Sequence, residues 1–292
     1  MSEVDAVADE QTGGEGVELR LVGVIVVKVL QESLRDRWFW LYTIGFAALA
    51  ASLTLVAVPD SSVVLSGGFG RTGAALVALV QLVVVLMAIS LGARVLASER
   101  ESGSLAFVLS QPISRTEVLL GTFVGLGGAL LAALAAGFGV AGVLSTMRDA
   151  PVTASVLINL TVLSWLLSLC SVAIGLVIGV SQRKVGAATS TALFVWFLLV
   201  FIGDLGIMGS VLASRLPVES LFLTAVLNPV EAFRLAVIVT LDGSLDALGP
   251  AGTYAVDTYG DGVGLIAVGV LVAWVVAPLT LAWLVFRRGT DL

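Results

Sequence analysis

Six mostly apolar runs of 20 to 26 residues dominate this 292-residue chain: Phe39 to Val58, Ala74 to Ala97, Leu119 to Leu144, Val156 to Val180, Ala187 to Ile207 and Val263 to Phe286. A hydrocarbon core about 30 Å thick takes about 20 residues of helix to cross. Inside it every backbone amide must find an internal partner, so helices are the expected form for runs of this length. Charged residues make up 12% of the chain, against about 25% in ordinary soluble domains, and the mean hydropathy is +1.08. The expected fold class is all-α: a polytopic membrane protein with six transmembrane helices.

The composition also removes several chemistries. There is no histidine, and Cys170 is the one cysteine. An internal disulfide, a cysteine-built metal site and an imidazole ligand set are therefore excluded, along with most nucleophile–base pairs. Met87, Met147, Met208 and Cys170 carry soft donors but are scattered over three regions, the pattern of apolar filler. Charges lie near the ends of the runs, which argues against an intramembrane enzyme or an ion-coupled carrier. No G-x-x-x-x-G-K-[ST] loop is present, so the chain has no ordinary cradle for nucleotide phosphates. No cofactor, metal or nucleic-acid partner is expected for this chain.

Ahead of the first run, residues 1–16 form an acidic tail bearing Glu3, Asp5, Asp9, Glu10 and Glu15, with no basic residue before Arg20. Such a tail is expected to be disordered, and no cleavable signal peptide is read in it. Residues 17–37 have helical amphipathic spacing, with Lys28, Glu32 and Arg35 on one face and Val22, Ile25, Val26, Val29 and Leu30 on the other. This helix is expected to lie in the membrane interface, with Trp38, Trp40 and Tyr42 at headgroup depth where the first span begins. Residues 38–292 then form the six-span domain. Placing both termini in the cytoplasm puts Arg20, Lys28, Arg35, Arg37, Arg94, Arg100, Arg115, Arg183, Lys184, Arg287 and Arg288 inside and only Arg71, Arg148, Arg215 and Arg234 outside. That asymmetry favours a multi-pass plasma-membrane protein with N and C termini cytoplasmic.

The second and third runs are joined by an unusually structured connection, Ser98 to Gly121, reading SERESGSLAFVLSQPISRTEVLLG. Gly103 suits the left-handed residue that closes a helix after Glu99, Arg100 and Glu101. A short helix from Ser104 to Ser110 follows, offering Leu105, Phe107, Val108 and Leu109. Pro112 disfavours helical geometry at Gln111 and breaks it. Ser114 to Glu117 reads as a capping box that starts the third span. A plain reversal needs only a handful of residues, as Ser181 to Gly186 shows between the fourth and fifth runs. The longer, partly apolar connection is therefore read as a docking element, with a simple chain reversal as the alternative.

Glu99, Glu101, Gly103, Ser104, Leu105, Gln111, Pro112, Ser114 and Arg115 fall where the first cytoplasmic segment of type-2 ABC transporter permeases carries its pattern E-x-E-x-G-[ST]-L, then [SQ]-x-P-[IVL]-[ST]-R. The chain resembles that family over nearly its whole length, and Glu32 to Tyr42 is similar to the family's elbow helix running into its first span. The resemblance implies that the segment is a coupling helix seated in a groove of a separate P-loop ATPase subunit, which holds ATP and Mg. Glu99, Glu101, Gly103, Leu105, Phe107, Pro112 and Arg115 are the docking residues it implies. It further implies a homodimer or heterodimer of permeases in a lipid membrane, transporting a substrate, in most such proteins outward. A membrane scaffold that anchors a soluble partner without transport is the alternative from another class.

On the outer side, Asn228, Pro229 and Glu231 read as a helix start, with Asn as cap, Pro in the first position and Glu three residues past the cap. Glu231 is spaced to pair with Arg234, as a local brace or as part of a gate. The apolar residues that follow are expected to lie in the outer interface or dip into the membrane. LNPVEAFRLAV, Leu227 to Val237, is similar to the permeases of copper-processing ABC transporters that serve nitrous oxide reductase maturation. Asp204 stands near the outer end of the fifth run, where interfacial solvation and a functional role are both open. Asp242, Asp246, Asp257 and Asp261 read as a solvated acidic surface. Gly121/Gly125 and Gly175/Gly179 have the spacing of close helix contacts, a weak signal for dimerisation.

Overall fold

Helices keep their backbone hydrogen bonds within one segment, and among the described residues of the computed structural model every regular element is helical. The structure describes residues 18–56, 71–105, 110–111, 113–147, 154–202, 227–240, 258 and 260–288. The acidic tail, Asp204, Asp242, Asp246 and Asp257, and the side chain of Asp261, lie outside what it describes.

Helix α1, Leu19–Arg35, is followed at once by α2, Arg37–Val56. The corner is Asp36, whose extended backbone stops α1 while its Oδ1 accepts the Trp38 amide at 3.0 Å and caps α2. Helix α3 is one rod with a defect: α-helical over Arg71–Leu79, a π turn over Val80–Val84, and α-helical again over Val85–Glu101. Then come α4, Arg115–Met147, and α5, Ala154–Ser181. Helix α6, Val185–Phe197, passes into a second π turn, Leu198–Ile202. The last two are α7, Pro229–Thr240, and α8, Val263–Arg288.

Five of these rods are long and apolar enough to cross a membrane: Arg37–Val56, Gly73–Glu101, Arg115–Met147, Ala154–Ser181 and Val263–Arg288. The apolar helix Val185–Phe201 is shorter, and residues 203–207 of the run expected there are not described. Several rods exceed their apolar runs because backbone hydrogen bonding continues through charged turns that hydropathy does not register. Thus α3 runs on to Glu101, α4 begins at Arg115 and α8 ends at Arg288.

Helices α3, α4 and α5 form the centre, with 67%, 61% and 67% of their apolar stretches buried, whereas α2 and α8, at 28% and 22%, form the rim. The rim turns Leu41, Ile44 and Leu49 of α2 and Leu265, Val276 and Leu281 of α8 outward, an apolar exterior suited to lipid.

Glycine sets how closely the central helices approach. A Cβ on Gly175 would lie 2.5 Å from Ile89 O, 3.0 Å from Ala93 N and 3.0 Å from Gly92 Cα, so α5 meets α3 backbone to backbone. On α4, a Cβ at Gly121 would meet Ile25 Cβ at 2.6 Å and one at Gly125 would meet Val29 Cβ at 2.9 Å. Both glycine pairs noted in the sequence are thus used inside the chain, Gly121/Gly125 to seat α1 and Gly175/Gly179 to seat α3.

Because backbone cannot swing aside as a side chain can, Gly175→Ala is expected to cost about 1–3 kcal/mol. Gly128→Ala, where nothing lies within 4 Å, should be neutral or stabilising by about 0.5–1 kcal/mol. Thermal midpoints in detergent compare the two, and equal midpoints would contradict the backbone contact.

Candidate functional site

Successive residues of a helix point about 100° apart, so three charged side chains in a row reach three different neighbours. At the end of α3 they do so. Glu99 Oε1 accepts from Lys28 Nζ of α1 at 2.7 Å. The Arg100 guanidinium donates to Val180 O, at the end of α5, at 2.6 Å. Glu101 Oε2 accepts the Val185 amide, at the start of α6, at 2.7 Å. The chemistry matches the helix ends: a cation meets a terminal carbonyl, and a carboxylate meets a first-turn amide that the Lys184 cap leaves without a side-chain acceptor.

After Glu101 the chain turns through Gly103, whose φ of +74° is the left-handed conformation expected there. Ser102 Oγ donates to Ser98 O at 2.8 Å and closes the last turn. Helical geometry resumes at Ser104 and Leu105. Leu105 is buried in the cluster that contains Ile25, Val29 and Val118, so its side chain anchors the connection to the bundle. Gly103, Ser104, Ser110 and Gln111 are exposed. Phe107 and Pro112 lie outside the described residues.

The return into α4 is made by the expected capping box. Ser114 Oγ accepts the Glu117 amide at 3.2 Å, and Glu117 Oε2 accepts the Ser114 amide at 2.7 Å. The other carboxylate oxygen accepts the Glu18 amide at 2.7 Å, so this buried side chain serves the first turns of α4 and α1 together. Arg115 reaches the end of α8, donating to Phe286 O at 2.7 Å and lying 5.8 Å from the Phe286 ring centroid. Trp283 Nε1 of α8 donates to Thr116 Oγ1 at 2.9 Å.

Burial would lower the Lys28 pKa, but the hydrogen bond and charge of Glu99, with Glu32 behind it, outweigh that and hold it above 10.5. A raised lysine pKa means the contribution is complete below pH 10.5 and fades only as the pH climbs through the folded value. The α1–α3 tie is therefore insensitive to physiological pH.

At the opposite end of the bundle, Asn228 caps α7 as expected, its Oδ1 accepting the Val230 amide at 2.9 Å. Glu231 and Arg234 pair at 3.4 Å. Nine of the twelve residues of α7 are buried, and it packs on α8, α5 and the π turn of α6. The sequence reading missed Gln81, which is buried in the π turn of α3 and lies with its Oε1 3.4 Å from Arg234. A lone amide within an apolar run was the available signal. Among the described residues no group of three or more His, Cys, Asp or Glu could hold a metal.

Removing the Glu117 carboxylate leaves the Ser114 and Glu18 amides short of an acceptor at a buried point, at a cost of about 1–3 kcal/mol. Glu117→Ala should therefore speed hydrogen exchange in α1 as well as in the first turn of α4. Unchanged exchange in α1 would contradict the double cap.

The family described as "ABC-2 family transporter protein" matches residues 24–290. "Probable ABC transporter permease protein NosY" of Stutzerimonas stutzeri is 29% identical over 274 residues, covering 90% of this chain and 97% of the relative. The protein of the same description from Pseudomonas aeruginosa is 28% identical over 274 residues, covering 92% and 98%. With an all-helical apolar bundle and a family match across almost its full length, the chain belongs to the ABC-2 transporter family as a NosY-like permease.

Proposed function

We propose that this permease is the membrane half of an ATP-driven transporter, with the power supplied by a separate P-loop ATPase that binds ATP and Mg. Six spans cross the membrane, α6 being the fifth, and both termini are cytoplasmic. Helix α1 lies in the interface. The Ser98 to Gly121 connection is the coupling element on which the ATPase closes. Two permeases and two ATPases form the complex, substrate passes between the permeases, and transport is outward. The permease itself catalyses no chemistry.

The observation that carries this reading is the set of ties made by Glu99, Arg100, Glu101, Arg115 and Glu117. Through them the two flanks of the connection are bonded to the ends of α1, α5, α6 and α8. A push on the connection is thereby shared among the helices, as coupling requires. A chain reversal would need none of these bonds. The cargo reading, copper- or sulfur-related, rests on the similarity of Leu227 to Val237 and on the NosY relatives.

Expression with the neighbouring genes should recover a P-loop ATPase in equal amount with the permease. Gly103→Asp and Phe107→Asp should lower that recovery about tenfold or more, the cost of spoiling one contact at the centre of a docked surface. Leu105→Asp is the control for folding, since Leu105 is buried in the permease itself. Normal recovery and ATP-dependent transport in the first two variants would sink the docking role. A partner that binds without any nucleotide-dependent change in the spans would identify a scaffold instead.

A further inference from the structure

The end of the bundle away from the connection holds two π turns, Val80–Val84 in α3 and Leu198–Ile202 after α6. A π turn shifts backbone pairing from the fourth to the fifth residue, which disturbs the ladder and gives a carbonyl reason to seek a donor from outside. Both turns have one. Leu82 O, in the first, accepts from Trp196 Nε1 of α6 at 3.1 Å. Leu199 O, in the second, accepts from Asn228 Nδ2, the cap of α7, at 2.7 Å. The third bond closes a circle: Gln81 Nε2, in the π turn of α3, donates to Val230 O of α7 at 3.1 Å.

These three bonds run in one circle, α6 to α3, α3 to α7, and the α7 cap to α6, and Arg234 of α7 adds a contact back to Gln81 Oε1 of α3 at 3.4 Å. The donors are three side chains whose polar atoms have no better use in an apolar setting, and Gln81 is buried. At the other end of the same two rods, Glu101 joins α3 to the Val185 amide of α6. Both ends of α6 are thus bonded to α3, and α7, which packs on α8 and α5, is hydrogen-bonded to the pair.

We propose that Gln81, Trp196 and Asn228 are positioning residues for transport, holding α7 to the α3–α6 pair so that a displacement entering at Glu101 arrives at α7 as movement of one body. The source of that displacement rests on the ATPase-driven reading above; the hold on α7 does not. Gln81 Nε2 and Trp196 Nε1 act through backbone carbonyls; Gln81 Oε1 also lies 3.4 Å from Arg234, so Trp196→Phe is the change that leaves the Glu231–Arg234 pair untouched.

Two measurements test this on the whole chain. In lipid nanodiscs without an ATPase, Gln81→Leu should raise hydrogen exchange across Val230 to Thr240 about fivefold, the effect of losing one net hydrogen bond, and Trp196→Phe should do so at the end of α6. Exchange at α1 should not change, and a uniform rise or no rise overturns the hold. In the reconstituted complex, a Thr240→Cys reporter in a Cys170→Ser background is labelled with a membrane-impermeant maleimide, with and without vanadate-trapped nucleotide. The nucleotide-dependent change in labelling should vanish in both variants while the KM for ATP and the hydrolysis rate stay as in the parent. Retention of that change overturns the transmission role. No associated ATPase would count against the driven reading, with the exchange measurement still deciding the hold.

Discussion

Glu99, Arg100 and Glu101 each hold a different helix, and the order of the bundle at that end depends on them. Helix ends in a membrane protein pose a definite problem. First-turn amides and last-turn carbonyls have no partner of their own, and water is scarce where they enter the apolar layer. Here the side chains that solve the problem for one helix come from another. Carboxylates from α3 and α4 serve the starts of α6 and α1, and guanidinium groups serve the ends of α5 and α8. Satisfying the backbone and joining the helices are one act. A change in the connection therefore cannot stay local.

Packing between the rods follows a second constraint, close backbone approach. Gly92, Gly175 and Gly179 bring α3 and α5 into backbone contact, while Gly121 and Gly125 seat α1 on α4. Without a hydrophobic drive between helices in lipid, such contact supplies dispersion attraction in its place. The two constraints act side by side toward that end: glycine sets how closely the rods approach, and charge joins their ends. The opposite end uses neutral side chains for the same purpose, Trp196, Asn228 and Gln81.

Much of this was legible in the chain. The apolar runs located the rods, Gly103 and the Ser114–Glu117 box located the breaks around the connection, and Asn228-Pro229 located the start of α7. What could not be read was which residues meet across long separations. Glu99 and Glu101 were visible as charged docking candidates, but nothing in the local spacing says that one finds Lys28 and the other an amide 84 residues away. Gln81 was hidden for a different reason. A single amide in an apolar run changes hydropathy little, and a π turn has no strong sequence signature. Helix ends were read short because hydropathy stops where charge begins, although the backbone does not.

The tie between Glu101, the last residue of α3, and the Val185 amide joins the connection's first flank to α6, and the transport produced per ATP hydrolysed measures it most directly. In the reconstituted complex, Glu101→Ala is expected to lower transport per ATP hydrolysed sharply relative to the parent. Parent-level transport per ATP in that variant would contradict the assignment of Glu101 as the point where force enters the spans.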